Sequence, residues 1–204
     1  MLISALKQTS PGRVTVCFED GKEIKSTLAV ITDMRLFSGK DLDEEDQKEL
    51  ENSSLRSIAR DRCIEMLSRR RMSRKELIDK LLRKGESEDI AEFCADWLEE
   101  KGFLDDESYA AAVARHYANK GYGAGRVRSE LHRRGVEREL WDEAVDNMPP
   151  VDDKLDKLVA QKLKDPEDKD QLRKLSASLY RRGYSWEEIR SALRRHNAQT
   201  EDFE

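Results

Sequence analysis

The chain has 204 residues, 40% of them charged and 37% hydrophobic, with a formal net charge of −5. An average soluble domain is about 25% charged and about 45–50% apolar, so this composition suits slender helices burying narrow stripes and argues against a thick core with a deep enzyme cleft. No stretch approaches the ~20 apolar residues that a membrane span needs, and no charged start with an apolar run opens the chain, so a cytoplasmic protein is expected. Cys17, Cys63 and Cys94 are odd in number and widely spaced, which predicts buried or semi-buried thiols in a reducing compartment rather than a disulfide or metal set.

In chain order, the first elements are β-rich. Arg13-Val14-Thr15-Val16-Cys17-Phe18 reads as a strand, and Asp20-Gly21 supplies a turn. Residues 23–27 return as a second strand, with residues 2–7 as a candidate third, which gives a small hairpin or meander. Residues 28–37 read as a helix ended by Ser38-Gly39. Asp43 opens a short acidic helix to about Glu51, closed by Asn52-Ser53-Ser54.

From Leu55 onward apolar residues recur with helical spacing, which argues against a disordered chain. Leu55, Ile58, Ala59, Cys63, Met66 and Leu67 mark one helix. Ser73-x-x-Glu76 is a capping box opening the next, which Gly85 ends. A third helix carries Ile90, Phe93, Cys94, Trp97 and Leu98 and stops at Gly102. Asp105-Asp106 then caps a helix with Tyr109, Val113, His116 and Tyr117. After Gly121-Tyr122-Gly123 a helix carries Val127 and Leu131, and another carries Leu140, Trp141, Ala144 and Val145 before Pro149-Pro150. A final set holds Leu155, Leu158, Val159 and Leu163, then Leu172, Leu175 and Leu179, then a capping box Ser185-x-x-Glu188 leading into Ile189, Ala192 and Leu193. After His196 the tail is polar and expected to fray.

One phrase recurs. Leu81-Leu82-Arg83-Lys84-Gly85, Leu131-His132-Arg133-Arg134-Gly135 and Leu179-Tyr180-Arg181-Arg182-Gly183 place their glycines 50 and then 48 residues apart. Leu77, Val127 and Leu175 stand four residues ahead of each first leucine, so two apolar side chains stack on one helix face and the glycine supplies a left-handed stop. Self-similarity at a nearly fixed period predicts a mainly α protein: three tandem three-helix repeats in an elongated crescent, preceded by the small N-terminal β extension. The expected division is residues 1–54, 55–104, 105–150 and 151–204.

Candidate chemistry is sparse. His116, His132 and His196 stand apart from any cysteine or carboxylate at metal-ligand spacing and read as surface or packing residues. Gly121-x-Gly123-x-Gly125 follows a helix rather than a strand, so it reads as a helix–helix turn and not as a dinucleotide loop. Trp97, Trp141 and Trp186 read as core or inter-repeat anchors. No catalytic, cofactor or metal residues are assigned, and an enzyme is not expected. The basic pairs Arg83-Lys84, Arg133-Arg134 and Arg181-Arg182 sit in last helical turns, where they favour the helix dipole by about 0.3–1 kcal/mol. Their recurrence also suits a ridge that meets an anionic partner, and Arg69, Arg70, Arg71, Arg126 and Arg128 extend it. The opposite charge gathers at Asp41, Asp43, Glu44, Glu45, Asp46, Glu49 and Glu51, where a basic protein patch is the complementary partner.

Several of these phrases together resemble the bacterial RecX regulatory proteins. They are Leu67-Ser68-Arg69-Arg70, Ser73-x-x-Glu76-Leu77, Leu81-x-x-Lys84-Gly85, Gly102-Phe103-Leu104-Asp105-Asp106 with Tyr109-Ala110, Gly121-x-Gly123 with Arg126-Val127, and Glu130-Leu131 with Arg134-Gly135-Val136. The resemblance covers residues 55–196. It implies an all-helical crescent that binds the RecA–DNA filament in its groove and restrains strand exchange, ATP hydrolysis and co-protease activity, as a monomer and without catalytic residues. The N-terminal β segment is an extension that some members have, and many members are more basic. Two other readings stand beside it. One is a stand-alone module binding single- or double-stranded DNA, against which the isoelectric point near 5.5 speaks. The other is a scaffold for a different protein.

Overall fold

A computed structural model describes residues 1–197; the rest of the tail expected to fray lies outside the described residues. The chain divides into two compact units: residues 1–71 with 76–104, and residues 72–75 with residue 105 onward.

The first unit begins with three antiparallel strands, β1 (Ile3–Ser10), β2 (Arg13–Phe18) and β3 (Glu23–Thr27), in the order β1-β2-β3. The period-2 pattern places Val14, Val16 and Phe18 with Ile3 and Ile24 in one apolar cluster, which Val30, Ile31, Leu36, Leu42 and Leu50 complete. Helix α1 (Leu28–Asp33) is shorter than the helix read over residues 28–37. Arg35 turns into the left-handed region at φ 49°, and its neighbour Leu36 drops into the core while its N–H donates to the Ile31 carbonyl at 2.9 Å.

The break expected at Asn52-Ser53-Ser54 is absent. Instead α2 runs unbroken from Glu44 to Arg69, 26 residues, with Asp43 as its cap. Asn52 is exposed and Ser53 donates to Glu49 one turn back at 2.6 Å, while buried Ser54 forms an interface rather than a stop. Ser54 Oγ donates to Ser26 Oγ at 2.8 Å, and the Thr27 and Ser57 hydroxyls also lie 2.8 Å apart. Short hydroxyl side chains allow β3 to approach the helix closely while keeping each buried polar atom paired. Helices α3 (Arg74–Arg83) and α4 (Glu88–Glu100) follow, and buried Cys63 of α2 lies against buried Cys94 of α4. Their mutual hydrogen bond and burial push the Cys63 thiol well above its ordinary range.

The second unit holds α5 (Asp106–Asn119), α6 (Ala124–Arg133), α7 (Glu139–Asp146), α8 (Asp152–Lys162), α9 (Lys169–Arg181) and α10 (Trp186–Arg195). Tyr109, Val113, Val127, Leu131, Val136 and Val145 form one core, and Leu155, Val159, Leu172, Leu175, Leu179, Ile189 and Leu193 another. These are the apolar stripes read from the sequence, and the described residues are mainly α-helical in three tandem three-helix sets behind a small sheet.

The recurring phrase ends α3, α6 and α9 in the same way. Gly85, Gly135 and Gly183 have φ of 89°, 69° and 89°. The residue after each glycine donates its N–H to the buried leucine five back: Glu86 to Leu81 (3.1 Å), Val136 to Leu131 (3.1 Å) and Tyr184 to Leu179 (3.4 Å). Each glycine N–H donates to the carbonyl three residues back, which completes a Schellman stop. Capping elsewhere follows the acidic and hydroxyl residues singled out above. Asp105 accepts from Ser108 N–H at 2.8 Å, and Ser185 with Glu188 forms the reciprocal box. At the head of α3, Asp106 accepts from Arg74 N–H at 2.8 Å, and the Ser73 hydroxyl donates to the Arg134 carbonyl.

Candidate functional site

The basic residues divide by what holds them. At the end of α2, Arg69 is exposed and pairs with Glu65 at 2.5 Å, one helical turn back. Arg70 reaches with both terminal nitrogens to Glu76 of α3. Burial opposes the charge on Glu76, but hydrogen bonds from Arg70 and Lys80 hold its carboxyl below the ordinary range. Arg71, Arg83 and Lys84 are exposed, with Arg83 Nε donating to the Asp79 carbonyl at 3.0 Å.

In the second unit each basic pair splits. The side chain of Arg133 is 69% exposed and that of Arg134 26%. Both meet Glu130, which is 3% exposed, at 2.5 Å and 2.8 Å. Arg134 also donates to the Tyr109 hydroxyl at 2.7 Å and lies over its ring. Hydrogen bonds from Arg133 and then Arg134 outweigh burial and bring the Glu130 carboxyl down to about 2. Burial works against Arg134, yet the bonds to Tyr109 and Glu130 raise its pKa further. In the next repeat Arg182 turns inward, donating to the Gly121 carbonyl at 3.3 Å and lying over Tyr122, while Arg181 stays exposed. Arg134 and Arg182 are therefore packing residues as well as charges.

Gly121-x-Gly123-x-Gly125 is a turn, as read, and also a backbone joint. Gly123 N–H donates to the Arg182 carbonyl at 3.0 Å and Gly125 N–H to the Gly183 carbonyl at 2.9 Å. A Cβ on Gly123 would overlap the Gly183 carbonyl, and one on Gly183 would overlap the Arg126 amide nitrogen. The buried Tyr184 hydroxyl donates to the Gly121 carbonyl at 3.0 Å, and its burial raises that phenol to about 12.

This joint brings Arg126 and Arg128 of α6 beside Arg181, around a groove of about 410 Å³ that Tyr180 also lines. Arg128 pairs with exposed Asp142 at 3.0 Å. The Trp186 reading needs correction. The residue is not a core anchor but 44% exposed, stacked on Tyr180, itself 54% exposed, with ring centroids 5.1 Å apart and planes at 18°. It is the first residue of α10, where the side chain leaves the helix before its buried stripe begins. Trp97 and Trp141 are half-buried, under Arg60 and beside His132 respectively. His116 and His132 are exposed, His196 is half-buried, and no group of three or more His, Cys, Asp or Glu among the described residues is placed to hold a metal ion. No helix among them is long and apolar enough to cross a membrane.

Models of the first, second and third three-helix domains of RecX match residues 59–98, 105–145 and 152–193. The regulatory protein RecX of Xanthomonas axonopodis pv. citri is 36% identical over 138 residues, which cover 65% of this chain and 84% of that protein. The chain belongs to the RecX family of regulatory proteins. The RecX of Stenotrophomonas maltophilia is 35% identical over 136 residues, 65% of this chain and 83% of that protein. The fold agrees: a crystal structure of regulatory protein RecX superposes with a TM-score of 0.76 at 22% identity, over 94% of this chain and 98% of that one. That of RecX from Lactobacillus salivarius gives 0.62 at 20% identity, over 70% of this chain and 97% of that one.

Proposed function

We propose that this chain binds the RecA–DNA filament and inhibits recombination, ATP hydrolysis and co-protease activity, acting in the cytoplasm as a monomeric regulator of DNA repair and the SOS response. Family membership carries the reading. It acts by binding and not by catalysis, with residues 55–104, 105–150 and 151–204 as the binding repeats and residues 1–54 as an appended module.

The placement of the cations supports this. Arg69, Arg71, Arg83, Lys84, Arg126, Arg133 and Arg181 are exposed on a chain whose net charge is −5. Local basic patches on an acidic chain favour a structured anionic surface over indiscriminate attachment to bare polyanion. Several weak contacts on one covalent chain reinforce each other once the first has formed. Arg70 and Arg128 contribute after exchanging a surface partner, and Arg134 and Arg182 support the exposed neighbour that precedes them.

The test is RecA ATP hydrolysis on single-stranded DNA, titrated with this chain, beside its binding to the same DNA without RecA. Suppression below one chain per RecA, at concentrations where bare DNA is mostly free, is the expected result. Inhibition confined to concentrations that coat the DNA would instead favour the stand-alone DNA-binding module.

A further inference from the structure

A cavity of about 420 Å³ lies in the first unit, where the sheet meets the middle of α2. Three elements each bring one cation to it: Arg13 from β2, Lys25 from β3 and Arg62 from α2. None of its lining residues is a carboxylate. Arg62 pairs with Glu86, and Arg13 meets Asp61 through Nη2 at 3.3 Å. Asp61 is 53% exposed, and an ion pair so open to water contributes little. The other terminal nitrogen of Arg13, Nη1, is buried and has no hydrogen-bond partner among the described residues. Arg60 Nε is unpaired too, but that guanidinium lies over the Phe93 and Trp97 rings. A buried guanidinium N–H left unmatched costs free energy that an anionic oxygen recovers. Thr9 and Thr15 add hydroxyl donors to the same cavity, and Val14 and Ile58 add apolar walls. Its volume falls within the range of about 300–1,000 Å³ that small-molecule sites span, more room than a lone ion fills.

We propose that this cavity is a binding site for a small organic phosphate monoester. The phosphate meets Arg13, Lys25 and Arg62, and a compact apolar body rests against Val14 and Ile58. A monoester carries about −1.5 to −2 charge at pH 7 and three acceptor oxygens, which suits three cations around one cavity. A carboxylate brings one charge and two oxygens. Planar guanidinium forks also match phosphate oxygens in pairs, and Arg13 Nη1 then gains the acceptor it lacks. All the lining residues but Arg62 precede residue 59, where the match to the first three-helix domain begins. The site therefore belongs to the appended N-terminal module, and it is independent of the filament reading.

The experiment is titration of the full chain with phenyl phosphate at low salt, read by isothermal calorimetry and by melting temperature. Saturable binding and a raised melting temperature are expected, because a ligand held only by the folded chain stabilises it. Inorganic phosphate, benzoate and phenol each offer one part of that ligand and bind about tenfold more weakly or worse. Affinity for phenyl phosphate falls as the pH drops through about 6, where the ester takes up its second proton. Lys25→Ala and Arg13→Lys each weaken binding about tenfold. Lys25 is exposed and Arg13→Lys keeps a cation beside Asp61, so unchanged melting temperatures without ligand separate lost binding from lost fold. Absence of saturable binding at millimolar phenyl phosphate would overturn the proposal. So would either variant binding as tightly as the parent, or inorganic phosphate or benzoate binding as tightly as phenyl phosphate. Equal competition, per phosphate, by an oligothymidylate without terminal phosphates would also overturn it. RecA is absent throughout, so failure here leaves the filament reading intact, and failure of the filament assay leaves this one.

Discussion

The turns that end α6 and α9 share the same residue pattern, the same glycine conformation and the same stop hydrogen bonds, yet they deploy their arginines differently. Three residues ahead of Arg133 stands buried Glu130, which holds both Arg133 and Arg134. At the matching place ahead of Arg181 stands Ser178, so Arg181 meets no carboxylate there and faces the groove beside Tyr180. In the first phrase that place is Lys80, and Arg83 and Lys84 are both exposed. Equivalent position in a repeat therefore fixes where a charge leaves the helix, while the residue one turn earlier decides whether that charge is available to a partner.

The largest expected effect separates the joint from the stop. Gly85 and Gly183 have the same φ of 89°, but a Cβ on Gly85 meets open space while one on Gly183 overlaps the Arg126 backbone. Gly85→Ala should cost about 1 kcal/mol, the left-handed penalty alone, whereas Gly183→Ala should cost about 3 kcal/mol or more, read from urea unfolding. Equal costs would show that the glycine contact between the two turns is dispensable.

Next comes Glu130. A carboxyl held near 2 instead of its ordinary 4.5 stabilises the fold by up to about 3 kcal/mol at neutral pH. Because the folded-state value is the lower one, this contribution is fully present above about pH 4.5 and disappears as the pH falls through 2. Glu130→Ala should therefore lower stability by about 3 kcal/mol at pH 7 and show a much smaller difference at pH 2, whereas Ser178→Ala should change it by less than about 0.5 kcal/mol. A difference between the parent chain and Glu130→Ala that does not change between those two pH values would show that the arginine pair is incidental. A smaller effect, about 1 kcal/mol, is expected for Ser185→Ala, which removes the cap of α10.

The smallest stability effect separates the outward arginine of the α9 pair from the inward arginine of the α6 pair. Arg181→Ala should leave the melting temperature within about a degree, as for an unpaired surface side chain. Arg134→Ala should lower it measurably, since it strips buried Glu130 of a partner. Charge reversal at Arg134 is for the same reason not a clean probe of a partner surface, and Arg181 or Arg83 is the better position.

Much of this was legible in the sequence, because helix stops and apolar stripes are local signals. The leucine–basic–glycine phrase gave the three Schellman stops, and spacing gave most of the buried positions on the repeat helices, although Leu55, read into the first stripe, is 49% exposed. The strands were legible from Val14-Thr15-Val16 and the Asp20-Gly21 turn. What escaped depends on tertiary neighbours. Asn52-Ser53-Ser54 has the composition of a break, and only β3 lying against it explains why the helix continues. Trp186 has the composition of an anchor, and its exposure follows from its place one residue after the Ser185 cap. Glu130 stands in a recognisable motif, but its burial and its hold on Arg134 depend on the packing of Tyr109. The same holds for Gly123, whose turn was evident and whose contact with Gly183 was not.

The most direct measurement is the affinity of the chain for three targets at one salt concentration: RecA assembled on single-stranded DNA with a nonhydrolysable nucleotide, RecA alone, and the DNA alone. The account predicts binding to the filament at least tenfold tighter than to either component, weakened by Arg83→Glu with the fold intact. Equal affinity for the filament and the bare strand would contradict it.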